Sequence, residues 1–461
     1  MPLLIKGGRV ITATDDFLAD VYCQNETITR IEKTIDPRPL PPDTEVVDAA
    51  GKYVMPGFID PHVHIYLPFM GTYAIDDYRS ASMAALAGGT TTTIEMICPG
   101  PGDEPWDAFE LWRSKAQGVS AMDFTFHMSV VRFDQKVREQ FDRIVNAGVA
   151  SFKVFLAYKG ALNLSDEHLF AAMKRARELG AIMTAHCENA DAIDAMQQAL
   201  LAAGRTGPEW HGPSRPPVVE ADGVHHLCAF ARLTGCHVYI VHTSCEAAVR
   251  EALSARYRGG VNVWIEVVVP HLVLDESYAA KPDFEGARYV MSPPLRARSN
   301  QEVLWNMLKS RAVSTVATDH APFTLEQKRM GLGAFTKIPN GIPTIQERVD
   351  LIHTHGVKGG HFDLQTMVDA CSTQAARLFG LYPRKGTIRV GSDADLVVYD
   401  PEWKGVFTRG HSNCDYSAFE GWEKLGRAEV VTVRGQVQAR AGRFTGTPGR
   451  GRFLEREATH G

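Results

Sequence analysis

The feature that most constrains this chain is a rhythm. Between positions 56 and 384, eight short apolar runs alternate with helix-like segments. The runs are "GFIDPHVH", "TTTTIEMI", "DFTFHMSVV", "ASFKVFLAY", "AIMTAHCE", "HVYIVHTS", "VNVWIEVVV" and "VSTVATDH". Segments such as "DEHLFAAMKRARELG" and "SNQEVLWNMLKSRA" between them have apolar residues at helical spacing. Eight strand–helix units, with no Gly-x-Gly-x-x-Gly after the first run, predict a closed parallel barrel in preference to an open doubly wound sheet. The two ends differ. Residues 1–55 and 385–445 alternate apolar and polar positions and are broken by Gly-rich turns, so they are expected to form one small β-sandwich together. The predicted class is α/β, a (β/α)8 TIM barrel over 56–384 with that sandwich attached and a tail at 446–461.

In such a barrel, chemistry belongs at the C-terminal ends of the strands. The first run ends in His62 and His64, the fourth carries Lys153, and the fifth, sixth and eighth reach His186, His242 and Asp319. Each alone has a structural explanation: a hydrogen-bonded histidine, or an aspartate capping a helix. As a set they are expected to converge, because His62 and His64 share one face of an alternating strand and the others sit at the same end of theirs. Four imidazoles and a carboxylate suit a borderline-soft divalent cation, Zn²⁺ first, with Mn²⁺, Co²⁺ or Fe²⁺ accepted according to supply. Lys153 lies among Phe152, Val154 and Phe155, where a bare ammonium is costly. A snorkelling stem or a buried ion pair is one reading. The other is an amine that has taken up CO₂ to become N6-carboxylysine, a two-oxygen anion able to bridge two cations ~3.5–4 Å apart.

Composition narrows the partners. With 49 basic and 54 acidic residues the net charge is −5, which gives no reason to expect nucleic acid or an anionic membrane. No run approaches the ~18 apolar residues of a membrane span, and the N-terminal apolar stretch is too short for a signal peptide's core. Eight scattered cysteines without a Cys-x-x-Cys suit reduced thiols in the cytoplasm.

With these residues assembled, the sequence resembles the cyclic amidohydrolases, specifically the dihydropyrimidinase/D-hydantoinase group. The likeness runs over nearly the whole chain, and "PFMGT", "DDY", "AALAGGTTT", "SFKVFLAYKG", "YVMSPPLR" and "PNGIP" are its most specific marks. The resemblance implies a barrel with a sandwich built from both termini, two divalent metals, carboxylated Lys153 between them, and usually a homotetramer (or homodimer). It implies that His62, His64 and Asp319 hold the more buried metal and that His186 and His242 hold the second. Asp319 would move the proton, Tyr158 would donate to the oxyanion, and backbone groups of Ser292 and Asn340 would bind the cyclic amide. The implied reaction opens a hydantoin or 5,6-dihydropyrimidine ring at a C–N bond, giving an N-carbamoyl amino acid. Phe69, Met70 and Tyr73 are expected in a loop over the substrate's exocyclic group, with ordinary loop packing as the alternative.

Neighbouring groups fit less well. Dihydroorotases place an arginine shortly after His-x-His, whereas Ile65, Tyr66 and Leu67 follow here. Allantoinase activity, or hydrolysis of another cyclic imide, is the alternative enzyme reading, although a polar ureido substrate suits "IYLPFM" poorly. A non-catalytic interaction protein of the same fold is the alternative of another class, disfavoured because every ligand position is filled. Two departures stand out: Glu95 where an aspartate is usual, and Val269-Pro270-His271-Leu272 where relatives commonly have a Cys-Pro pair. His271 is read as structural, with a substrate contact as the alternative.

Overall fold

The computed structural model describes residues 2–458. Its centre is an eight-stranded parallel barrel: β1 (Phe58–Val63), β2 (Thr90–Ile97), β3 (Asp123–Ser129), β4 (Ser151–Phe155), β5 (Ile182–His186), β6 (Val238–Ile240), β7 (Val263–Val268) and β8 (Thr315–Ala317). Each strand pairs with its neighbour in sequence. The seam between β8 and β1 closes just beyond the strands, where His62 O accepts from Asp319 N at 2.9 Å and His320 O from His64 N at 2.8 Å. That seam brings the first and last candidate ligands together.

Side-chain alternation decides what the barrel interior holds. In β4, Phe152 faces outward and stacks on Phe141 of the helix Gln135–Asn146, ring centroids 3.8 Å apart. Burying such a ring contributes about 1.5–3 kcal/mol and fixes the register, so Lys153 and Phe155 must face inward. The helix Asp166–Glu178 shows the outer layer's logic. Ser165 caps it by accepting from His168 N, and Leu169, Ala172, Met173 and Ala176 bury one stripe at i, i+3, i+4 and i+7.

The ends of the chain come together as expected, hydrogen-bonded into one nine-stranded, mostly antiparallel sheet. Tyr53–Pro56 pairs antiparallel with Leu396–Val406, and only Gly57 separates it from β1. The sheet has its own core of Leu3, Ile5, Val10, Val21, Val54 and Leu396. Buried charges weld it to the barrel. Lys385 Nζ donates to Asp123 at 2.7 Å and to Asp395 at 2.6 Å, while Arg434 of the sheet reaches Asp123 as well. Tail residues dock at the opposite end from the site. Leu454 N donates to Phe124 O, and the buried Arg456 donates to Thr125 Oγ1 and Ser151 Oγ.

The strands stop earlier than the apolar runs do. Val269 belongs to a short helix, Val269–Val273, because Pro270 sits in its first turn, where it favours a helix start and cannot continue a ladder. His242 and Asp319 lie two residues past Ile240 and Ala317, with positive φ values of 39° and 53°. Alternation along a strand therefore does not place them; left-handed turns do. Among the described residues no helix is long and apolar enough to cross a membrane, and all eight cysteines are buried and unbridged.

Candidate metal centre

At the C-terminal mouth, Asp319 Oδ1 lies 3.2 Å from His62 Nε2 and 3.1 Å from His64 Nε2. His242 packs 5.2 Å from the His62 ring and 4.5 Å from His186, centroid to centroid. Lys153, fully buried, enters the same chamber from β4. The six residues anticipated from sequence thus surround one point. Strain marks it too: His242, Asp319, Tyr158 and Met70 all hold positive φ, a conformation non-glycine residues keep only where packing over-determines it.

Buried carboxylates orient the imidazoles. Glu266 Oε1 accepts from His62 Nδ1 at 2.7 Å and from His242 N at 2.8 Å, and its Oε2 accepts from Tyr239 at 2.7 Å. With Nδ1 carrying the proton, the Nε2 lone pair of His62 is left for a cation. Glu188 Oε2 plays the same part for His186, accepting from Nε2 at 2.7 Å and from Arg215 Nη1 at 2.5 Å. Sequence reading passed over Glu266, Glu188 and Arg215. A signal existed for two of them: Glu266 interrupts the apolar run "WIEVVV", and Glu188 follows His186 by two residues. Glu95 acts on the loop after His64, where it accepts from Ile65 N and Tyr66 N at 3.0 and 2.8 Å.

Burial and the contacts around Asp319 set the ionisation of the chamber. Burial raises Asp319, but His62 and His64 outweigh it and hold the carboxyl down at about 2. Burial opposes charge on His64, yet the bond to Asp319 lifts it to about 9. Burial pushes Lys153 down to about 8, so its free amine is accessible near neutral pH. His62 Nε2, Lys153 Nζ and His242 Nδ1 are buried without a hydrogen-bond partner. An orphaned buried polar atom costs about 1–3 kcal/mol, and three around one chamber fit a site built for cations. The chemistry of the donor set, imidazole and carboxylate, fits divalent metals as well.

Above the chamber lies a cleft of about 580 Å³ lined by Tyr66, Phe69, Met70, Tyr73, Tyr158 and Asn340, among others. It shares Phe69, Tyr158 and Asn340 with the inner chamber. The hairpin Pro68–Phe69/Thr72–Tyr73 turns through Met70 and Gly71, with φ values of 51° and 82°, which suits a two-residue turn of the strand-matching hand. Phe69 meets the Tyr158 ring edge-on at 5.4 Å, whereas Tyr73 is half-exposed and stacks on Tyr66. Burial pushes the Tyr158 phenol up to about 12, so it stays a donor. Asn340 Nδ2 donates to Ser292 Oγ at 2.9 Å. His271 donates from Nε2 to Pro293 O at 3.0 Å and does not line the cleft.

A family model described as "Amidohydrolase family" matches residues 53–437. The chain is 42% identical to a D-hydantoinase of Geobacillus stearothermophilus over 460 residues, covering 99% of this chain and 97% of that one. It is 38% identical to a dihydropyrimidinase of Arabidopsis thaliana, covering 98% and 85%. Among solved structures, a D-hydantoinase (dihydropyrimidinase) from Thermus sp. superposes with a TM-score of 0.97 at 52% identity, covering all of both chains.

Proposed function

The chain belongs to the amidohydrolase family, and from that premise we propose that it opens cyclic ureides and imides at a ring C–N bond. It is a cyclic-amide hydrolase of the D-hydantoinase/dihydropyrimidinase kind, converting hydantoins or 5,6-dihydropyrimidines to N-carbamoyl amino acids. The observation that carries the reading is the convergence of His62, His64, Lys153, His186, His242 and Asp319 beneath an apolar cleft. His62, His64 and Asp319 would hold one divalent cation, and His186 and His242 the other. Lys153, as N6-carboxylysine, would serve both: its neutral Nζ bonds the carbon of CO₂ and loses a proton. We assign zinc first, with manganese, cobalt or iron able to replace it.

When bound, the cations supply Lewis acidity toward a ring carbonyl and lower the pKa of water. The remaining work falls to the chain's own groups. Asp319, ionised at neutral pH, accepts the proton of the attacking water and passes it to the leaving ring nitrogen. Tyr158 donates its phenolic hydrogen to the oxygen that gains charge as the carbonyl carbon becomes tetrahedral. Backbone groups of Ser292 and Asn340 hold the cyclic amide, and the bond between their side chains keeps the two segments in register. Phe69, Met70 and Tyr73 cover the substituent side and keep water away.

By the same reading the chain divides into 1–55 and 385–445 (one β domain), 56–384 (barrel) and 446–461 (tail). The protein is a cytoplasmic homotetramer, or else a homodimer; a monomer mass in light scattering would reject the assembly. The deciding experiment is a steady-state panel on metal-loaded protein: dihydrouracil, hydantoin, 5-substituted hydantoins, allantoin and simple cyclic imides. Hydantoins or dihydrouracil should have the highest kcat/KM. A preference for allantoin moves the chain to the allantoinase reading, and no turnover on the whole panel removes the function.

A further inference from the structure

Lys328 is fully buried, forms no ion pair among the described residues, and ends the one-turn helix Leu325–Lys328. Its Nζ donates to three backbone carbonyls: Val290 at 3.0 Å, Pro339 at 2.7 Å and Gly341 at 2.8 Å. Those carbonyls belong to the two segments that carry Ser292 and Asn340. A buried ammonium without a carboxylate is expensive, and burial pushes Lys328 down to about 7. Three carbonyl dipoles are the compensation. We propose that Lys328 is a positioning residue for substrate recognition, its Nζ hydrogen bonds clamping the Ser292 and Asn340 segments at the separation a ring amide requires. The inference rests on the cyclic-amide reading above and adds to it the group that sets that separation.

Several features agree. Gly341 N donates to Val290 O at 2.9 Å, so the clamp joins backbone already in contact. Gly341 holds φ +148°, and a Cβ there would lie 2.2 Å from Ala321 O, so the segment passes where only glycine fits. His211 Nε2 donates to Met291 O at 2.8 Å and His271 to Pro293 O at 3.0 Å, so side chains from three elements grip residues 290–293. The turn that carries Lys328 also steadies the cleft's hairpin, because Gln327 Nε2 donates to Thr72 Oγ1 at 2.8 Å and to Tyr73 O at 2.7 Å. One helical turn therefore ties both sides of the substrate cleft. Lys328 touches neither substrate nor metal ligands and acts through Ser292 and Asn340.

The test is Lys328→Met in metal-loaded protein, which keeps the stem and removes the donors. We expect KM for hydantoin to rise about tenfold or more while kcat changes less than about threefold, with wild-type metal content, since loosened ground-state binding appears in KM. Should Lys328→Met not fold, Lys328→Gln, whose two N–H donors on a shorter stem cannot reach all three carbonyls, should raise KM in the same direction by about threefold with kcat held, and an unchanged KM there overturns the inference. A lowered melting temperature with KM unchanged makes the lysine merely structural and overturns the inference, as does a loss confined to kcat. Wild-type protein inactive on every cyclic amide overturns the underlying reading, and the inference with it.

Discussion

Asp319 places one carboxylate oxygen within 3.2 Å of two imidazole nitrogens and is ionised at neutral pH, so the oxygen is unprotonated when water attacks. Asp319→Asn should keep much of the metal, held by the remaining ligands, while kcat falls about 10²–10⁴-fold, the usual worth of a positioned acid–base group. Metal analysis beside steady-state kinetics checks both halves; near-normal turnover would remove Asp319 from proton transfer. Tyr158→Phe should lower kcat by about 10²–10³-fold with a smaller change in KM, because its contact strengthens in the transition state. An effect on KM alone would make Tyr158 a binding residue. The candidates for these roles could be picked out because metal chemistry restricts ligands to few side-chain types and a barrel puts them at strand ends. The parts played by Glu266 and Lys328 could not, even though Glu266 interrupts an apolar run, because they lie in partners far along the chain: His62 is 204 residues from Glu266, and Val290 is 38 from Lys328.

At the scale of elements, all eight strands could be read from apolar runs, but their ends could not. Periodicity reports where a strand can run, not where the chain must leave it to aim a side chain, and His242 and Asp319 depend on left-handed turns that no pattern announces. The joining of the two ends was legible from their shared character, whereas its fastening by Lys385, Asp123, Asp395 and Arg434 was not. Burial raises Asp123, but Lys385 and Arg434 outweigh it and hold the carboxyl at about 2. A carboxyl depressed in the folded state stabilises above its unfolded pKa of about 3.9, and that contribution is lost as pH falls toward about 2. Acid titration of the fold should therefore show stability falling below pH ~4. Lys385→Met, which strands buried carboxylates, should cost about 3–5 kcal/mol in denaturant unfolding and flatten that acid dependence. Unchanged stability would show that the junction is held by packing alone.

Over the whole molecule, the barrel brings the candidate ligands together, the terminal sheet and tail brace it away from the mouth, and the cleft opens onto the chamber. On the proposed function cations would bind the folded chamber and not the unfolded chain, so chelation should abolish activity and lower stability. Restoring metal to 100 times its dissociation constant should return about 2.7 kcal/mol, read as a higher melting temperature. A chelated protein with full activity and an unchanged melt would contradict this. The most direct measurement is made on Lys153 itself. Protein loaded with zinc in ¹³C-bicarbonate should bind two metal ions per chain and give a carbamate ¹³C resonance. Both should be lost in Lys153→Ala, with short carboxylic acids partly restoring metal and turnover. An unmodified amine at Lys153 in fully active, metal-replete protein would contradict the account.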